Sequence, residues 1–182
     1  NKGADRDLSE LMYSGRDRRF YTAIVYDKCS WIGETVELNL GGNLSAGVRD
    51  KEDGGWYNTT TGYYWRKGNI ENPTPRAYHN CQVALHFNIV RLGEAYMNLA
   101  EAYLLKHDVP NAVKALNMTR TIHGGLSEST AATEEEAWTD YIRERNCELT
   151  NEGGDIYYSY LRWGKYGGYA NHGRDAGDII YD

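Results

Sequence analysis

Three glutamates recur at every fourth residue toward the end of the sequence, at Glu144, Glu148 and Glu152. This spacing places their carboxylates on one face of a helix. Hydrolysis of a glycosidic bond needs two carboxyl groups on opposite sides of the scissile bond, roughly 5–9 Å apart. Neighbours on one helix face do not converge in that way, and Arg143 and Arg145 are interleaved with them. The pattern therefore favours structural ion pairs over catalytic carboxylates.

No other group of residues has the spacing of a metal centre or a nucleophilic site. His79 and His86 are seven residues apart and no third ligand follows them. The three cysteines form no C-x-x-C pair. The sequence has no G-x-S-x-G, no phosphate-binding loop and no dinucleotide-binding fingerprint. We therefore predict no catalytic residue, no metal site and no cofactor.

The charge of the chain argues against a nucleic-acid partner. Acidic residues outnumber basic ones by 26 to 20, which gives a net charge of −6, whereas binding to phosphates requires a basic surface. The only basic cluster comprises Arg16, Arg18 and Arg19, and it is interleaved with Asp17. This interleaving favours local ion pairing within the cluster.

The aromatic composition is unusual, with 16 Tyr and 5 Trp against 2 Phe. Tyrosine and tryptophan combine an apolar ring face with a polar edge. A core alone would favour phenylalanine, so this bias indicates aromatic rings at a hydrated surface, such as a site for a polar ligand.

The strongest structural signal is a predicted helical pair spanning residues 88–123. The first helix has an apolar face at three- and four-residue steps, formed by Leu92, Ala95, Tyr96, Leu99 and Tyr103. Asp108 and Pro110 suit the start of the second helix. The short connection predicts antiparallel helices. Small residues where they cross resemble a tetratricopeptide-type unit, which needs a further partner to cover its faces.

Other segments predict shorter elements. Thr133 and Glu136 form a capping box that opens a third long helix, and residues 156–163 predict a short fourth one. Residues 20–26 predict a strand because they are aromatic and β-branched, and residues 36–40 predict another. The first part also contains a helical turn near Leu8 and a glycine-rich loop region. We predict a mainly α fold in a single domain, residues 1–182, with residues 1–80 rich in strands and loops and residues 81–182 helical.

Three blocks of the sequence resemble the SusD/RagB family of outer-membrane nutrient-binding lipoproteins. They are residues 13–33 (YSGRDRRFYTAIVYDKCSWIG), residues 62–67 (GYYWRK) with the following RLGEAYMNLAEAYL, and residues 142–165 (IRERNCELTNEGGDIYYSYLRWGK). Their order and spacing agree with the family over about 150 residues. The chain departs from the family pattern at Arg18, where proline is usual, and at Asn146, where arginine is common. The family's N-terminal part, with its signal peptide and lipidated cysteine, is expected to be missing from this chain.

The resemblance implies a SusD-like fold and a binding protein without enzymatic activity. Members of the family capture glycans, and sometimes peptides, at the cell surface of Bacteroidota. They cap a SusC-like TonB-dependent transporter in the outer membrane, to which a lipid anchors them. The implied partners are therefore a glycan ligand and such a transporter. The outer face of the helical pair is the expected transporter contact.

Sugar recognition in this family implies stacking on exposed Tyr and Trp rings beside polar groups. Residues 53–67 have that mixture. The predicted ligand-binding residues are Trp31, Trp56, Tyr57, Asn58, Tyr63, Tyr64 and Trp65. Alternatively, some of these rings pin a long loop in place, which is the stronger interpretation for residues 63–65. A helical-repeat scaffold that binds only proteins, or a glycoside hydrolase fragment, are the alternative functions.

Overall fold

The computed structural model describes residues 8–38, 42–43, 59, 61–68 and 88–163. The chain forms two compact units, Asn1–Asn88 and Ile89–Asp182. In the first unit the described elements are α1 (Leu8–Tyr13), α2 (Arg18–Ala23), β1 (Ile24–Val25), β2 (Ser30–Trp31), β3 (Glu34–Thr35) and β4 (Tyr64–Trp65). In the second they are α3 (Leu92–Leu105), α4 (Val109–Ile122), α5 (Glu134–Glu148) and α6 (Asp155–Arg162). The predicted mainly helical fold class is confirmed.

The first unit contains two small antiparallel sheets. In one, β1 pairs with β4, so that Ile24 lies opposite Trp65 and Val25 opposite Tyr64. In the other, β2 and β3 form a tight hairpin. Val25, Cys29 and Val36 are the buried core of this unit.

The second unit is a helical assembly built on the predicted pair. Helices α3, α4 and α5 pack on one another around a core that includes Met97, Leu104, Leu116 and Tyr141. The Asp108 side chain caps α4 by accepting the backbone N–H of Asn111. The predicted capping box at the start of α5 is also present, since the side chains of Thr133 and Glu136 accept each other's backbone N–H groups. The predicted short helix corresponds to α6.

Two predictions about local structure were wrong. Residues 20–26 do not form one strand, because α2 continues to Ala23 and only Ile24–Val25 is extended. The Asp17 side chain caps α2 by accepting the backbone N–H of Arg19, and this cap outweighs the strand preference of the aromatic residues. The second predicted strand, residues 36–40, is also wrong at residues 36–38, because the paired strand β3 ends at Thr35. Residues 39–40 lie outside the described residues.

The apolar face of α3 was also assigned incorrectly. The residues that the helix buries are Gly93, Met97, Ala100, Glu101 and Leu104, which also recur at three- and four-residue steps. The predicted face included Leu92 and Leu99, both of which are exposed. Apolar residues occupy both faces of this helix, so two different sets of them fit the 3.6-residue helical period. The face that is buried includes Glu101. Hydrophobicity alone does not predict that a glutamate is buried.

Candidate functional site

A cluster of five aromatic rings lies in the first unit, and we call it the ring cluster: Tyr13, Phe20, Tyr21, Tyr26 and Tyr63. Tyr13 is central, with ring centroids 4.7 Å from Tyr26, 6.0 Å from Phe20 and 6.2 Å from Tyr63. Tyr21 lies 5.4 Å from Phe20 and 5.9 Å from Tyr26. These separations are typical of favourable aromatic packing. The cluster thus connects α1 and α2 to the residue that precedes β4.

Backbone hydrogen bonds fix β4 against the end of α2. The N–H groups of Arg66 and Lys67 both donate to the carbonyl oxygen of Ala23, at 2.8 and 3.2 Å. Since side chains alternate along an extended segment, Tyr63 and Trp65 point to one side of β4 and Tyr64 to the other. The short strand therefore presents two aromatic rings on one side and holds a third on the other.

Tyr64 and Trp31 pack against the small core of the first unit. Their rings are stacked, with centroids 6.5 Å apart and an interplanar angle of 21°. Both pack against the cluster formed by the buried residues Val25, Cys29 and Val36. This placement matches the alternative in which predicted ligand-binding rings pin the loop. It gives Trp31 and Tyr64 a structural role.

Tyr63 and Trp65 remain the exposed members of the predicted set. Trp65 is 49% exposed and Tyr63 is 37% exposed. Trp65 lies in a paired strand and Tyr63 packs edge-on against Tyr13, so both rings are held by their surroundings. Such rings form a hydrated aromatic surface at low cost in conformational entropy. Trp56, Tyr57 and Asn58, the other three predicted ligand-binding residues, lie outside the described residues.

The hydroxyl groups of Tyr13 and Tyr26, two members of the ring cluster, stay protonated at neutral pH. Burial raises the pKa of Tyr13 to about 12, and its hydrogen bond with Tyr63 adds to the increase. Burial also raises the pKa of Tyr26, and the nearby Arg66 lowers it only in part. A neutral tyrosine both donates and accepts hydrogen bonds. The cluster is therefore chemically suited to polar, hydroxyl-rich ligands rather than to proton abstraction.

The glutamates at 144, 148 and 152 lie in the second unit and are engaged in structural contacts. Arg91, which precedes α3, donates from Nε to Glu152 Oε2 at 2.7 Å and from Nη1 to Glu148 Oε1. Thr119 Oγ1 donates to Glu144 Oε1 at 2.7 Å. The interpretation as structural contacts is confirmed for Glu148 and Glu152, although the arginine is Arg91.

The interleaved arginines have partners other than those three glutamates. Arg145 is buried and donates from Nη2 to Asp155 Oδ1 at 2.5 Å, which ties α5 to α6. Arg143 lies on the surface, 3.7 Å from Asp140. The sequence did not predict Arg91 and Asp155 as ion-pair partners. Partners that are distant in the sequence, or that lie on another helix, produce no periodic pattern.

The described part of the chain has neither a metal-binding cluster nor a helix that could span a membrane. No group of three or more His, Cys, Asp or Glu side chains there is arranged to hold a metal ion. None of the described helices has both the length and the apolar composition needed to cross a membrane.

The packing of Tyr63 with the other four members of the ring cluster was not predicted from the sequence. Tyr13, Phe20, Tyr21 and Tyr26 come from two short helices and a strand end, and their convergence depends on α2, which was predicted as a strand. The available signal was the density of aromatic residues between positions 13 and 26. This density predicts close packing of the rings but not which ring faces solvent.

Comparison with known proteins places this geometry in context. The model of the SusD family matches residues 1–182 of the chain. A crystal structure of a SusD-like protein from Bacteroides fragilis is 30% identical and superposes with a TM-score of 0.67, covering 86% of this chain and 30% of that one. The chain thus spans less than a third of the length of that relative. No curated protein sequence matches it.

Proposed function

Since this chain belongs to the SusD family, we propose that it is part of a surface protein that captures glycans for import. The observation that carries the proposal is a pair of exposed rings, Trp65 on β4 and Tyr63 directly before it. The backbone of Trp65 is paired with β1, and the Tyr63 ring packs on Tyr13. The family resemblance inferred from the sequence is confirmed by the family match and by the related structure. The ligand and the partner remain our proposal.

The exposed rings suit sugars for a physical reason. A pyranose has C–H faces that lose water favourably against an aromatic ring, and hydroxyl groups at its edge that need hydrogen-bonding partners. Trp65 and Tyr63 offer the faces, while the hydroxyl of Tyr63 and the neighbouring Arg66 offer polar groups. Trp56, Tyr57 and Asn58 precede this segment in sequence, and we propose that they complete the same binding surface.

We further propose that the protein performs no chemistry on the glycan. Glu144 and Glu148 are almost fully buried, and their oxygens accept hydrogen bonds from Thr119 and from Arg91. A glycosidase requires two accessible carboxyl groups placed across the bond that breaks. The hydrolase alternative is therefore the weaker one. Release of reducing sugar from a polysaccharide panel would show that it is correct.

The proposed protein partner is a SusC-like TonB-dependent transporter at the cell surface, with membrane attachment through a lipid anchor outside this chain. Supporting this, α3 presents the exposed apolar side chains Leu92 and Leu99, which lie two turns apart on one face of the helix. Apolar residues grouped on one element are typical of protein contacts. The same residues would serve a scaffold that binds only proteins, so glycan binding decides between the two functions.

The binding surface can be tested with Trp65→Ala. An oligosaccharide selected on a glycan array should bind the variant about tenfold more weakly by calorimetry, since an aromatic stacking contact contributes about 1 kcal/mol beyond its buried area. Trp65 is half-exposed, so the melting temperature should fall by only a few degrees. The same result is expected for Trp56→Ala.

Tyr157→Ala provides the matched control. Tyr157 is also an exposed aromatic residue, at 54%, but it lies on α6 in the other unit. Its removal should leave glycan affinity unchanged. Equal affinity of Trp65→Ala and the unmodified chain would show that the glycan binds elsewhere. Failure to bind any glycan on the array would contradict the proposed function itself.

A further inference from the structure

A pair of exposed arginines lies beside the ring cluster, in the basic segment at positions 16–19. Both Arg16 and Arg18 are exposed. The acidic residue between them does not neutralise them, because Asp17 is bound to Arg19. Arg19 Nη2 donates to Asp17 Oδ2 at 2.5 Å, and the Arg19 backbone N–H donates to Asp17 Oδ1 at 2.8 Å. The local ion pairing expected from the sequence is thus confirmed for one arginine of the three.

Arg16 is anchored to the ring cluster through its backbone. Its N–H donates to the hydroxyl oxygen of Tyr21 at 3.1 Å, and that hydroxyl donates to the carbonyl oxygen of Tyr13 at 2.6 Å. The Arg16 side chain uses only Nε in a described contact, which donates to the carbonyl oxygen of Met12 at 2.8 Å. The charged end of the side chain is therefore held near the rings and remains accessible.

Helix stability does not explain the positive charge at Arg18. This residue is the first of α2, and a cation at a helix N-terminus is unfavourable with respect to the helix dipole. Proline suits that position better, since its fixed φ matches the first turn. The Arg18 side chain makes no hydrogen bond or ion pair within the described part of the chain.

A third cation approaches the ring cluster from β4. Arg66 directly follows Trp65, and its Nη1 donates to the carbonyl oxygen of Tyr21 at 3.3 Å. Tyr21 is therefore contacted by Arg16 on its hydroxyl and by Arg66 on its backbone. The exposed rings and the cations thus meet on the same small group of elements.

From this arrangement we infer that the glycan captured by Tyr63 and Trp65 is anionic, carrying carboxylate or sulfate groups that Arg16 and Arg18 bind. The inference rests on the proposed function and specifies the class of its ligand. The net charge of −6 does not oppose it, because charges more than about 8 Å away are largely screened at physiological ionic strength. Arginine is suited to the task, since its planar donor group matches carboxylate and sulfate oxygens.

The test compares glycans that differ only in charge. The full chain is titrated with polygalacturonate and with its methyl-esterified form, and with chondroitin sulfate and unsulfated chondroitin. We expect at least one of the more highly charged glycans to bind tenfold more tightly than its less charged counterpart, with affinity falling as salt is added. The first pair reports on carboxylates and the second on sulfates.

The variant R16Q/R18Q should lose about three- to tenfold in affinity for the charged glycan, since each exposed ion pair is typically worth less than 1 kcal/mol. R16K/R18K should retain most of the affinity. The control K106Q/K114Q removes two exposed charges from the other unit and should change nothing. Circular dichroism identifies a variant that fails to fold, and R18P then provides a second neutral form.

Three results would overturn the inference. Binding of neutral glycans alone would contradict it while leaving the proposed function intact. Equal affinity of R16Q/R18Q and the unmodified chain for a charged glycan would show that other residues bind the anion. Binding of anionic lipid vesicles but of no glycan in either charge class would reject both the inference and the proposed function.

Discussion

Glu101 is a buried carboxylate that joins three elements of the helical unit. Its oxygens accept hydrogen bonds from the Tyr141 hydroxyl, from Arg162 Nη2 at 2.7 Å and from Trp163 Nε1 at 3.1 Å. Burial alone raises the pKa of the Glu101 carboxyl, but these donors outweigh it and the pKa lies below its usual value. A buried charge is tolerated only when it is paired and hydrogen-bonded in this way.

Glu101→Gln should lower the free energy of unfolding by about 2–4 kcal/mol at pH 7, since removing one member of a buried charged network leaves its partners uncompensated. The contribution of Glu101 also depends on pH. Because the folded pKa lies below the unfolded one, the stabilisation is complete above the unfolded pKa and is lost as pH falls through the folded pKa. Thermal melts of both proteins between pH 7 and pH 3 should therefore show a smaller difference at the acid end.

Glu135→Gln is a suitable control, because Glu135 is exposed in the first turn of α5. It should have little effect on the melting temperature. A constant difference between Glu101→Gln and the unmodified chain throughout this pH range would contradict a role for the ionised carboxylate.

The individual residues of the site were predictable in type but not in orientation. Trp65 and Tyr64 are adjacent aromatic residues with the same sequence environment, yet one is half-exposed and the other stacks on Trp31. The direction in which each ring points is set by the pairing of β4 with β1, which joins residues about 40 positions apart. Composition indicates that exposed rings exist, whereas long-range pairing decides which rings they are.

At the scale of elements, the start of α3 packs against the end of α5 through a glycine. A Cβ atom at Gly93 would overlap Glu148 Oε1 and Arg91 Nη1. Those two atoms form the ion pair that joins the segment before α3 to α5. Glycine normally weakens a helix relative to alanine, so its presence here is explained by the close approach of this ion pair.

Gly93→Ala should therefore destabilise the helical unit, although the same change in an exposed helix would stabilise it. We expect a loss of about 2–4 kcal/mol in chemical denaturation, because the methyl group displaces a buried ion pair. Leu92→Ala in the same turn is the control, since Leu92 is exposed, and it should stay within about 0.5 kcal/mol. A stabilised Gly93→Ala variant would show that the Arg91–Glu148 pair moves aside without cost.

The elements of the second unit were largely predictable, whereas in the first only the helical turn at α1 (Leu8–Tyr13) was predicted correctly. Helices α4 and α5 have capping residues and apolar periodicity that agree with each other, so local and tertiary preferences coincide. In α2, the side-chain cap at Asp17 competes with an aromatic, β-branched composition. Strands of two residues, such as β1 and β4, are too short to produce an alternation signal. Local patterns alone could not predict such elements.

At the scale of the whole molecule, the two units have very different cores. The second buries eleven residues in one cluster, among them Met97, Leu104 and Trp138, whereas the core described in the first consists of Val25, Cys29 and Val36. Hydrophobic stabilisation grows with buried apolar area, and a pair of two-residue strands adds little. The glycan surface that we propose therefore lies on the described part of the chain that has the smaller buried core.

The difference in size between the two described cores predicts the pattern of backbone hydrogen exchange. Amides in α3, α4 and α5 should exchange only when the helical unit unfolds as a whole. The hydrogen bonds that Arg66 and Lys67 donate to Ala23 should open at a lower free energy. Mass spectrometry of deuterium uptake resolves the two regions. If the glycan binds at β4, a saturating ligand should slow exchange at Arg66 and Lys67 while leaving α4 unchanged, because a ligand stabilises the state that it binds. Uniform exchange in the free chain would instead support the single cooperative domain that the sequence predicted.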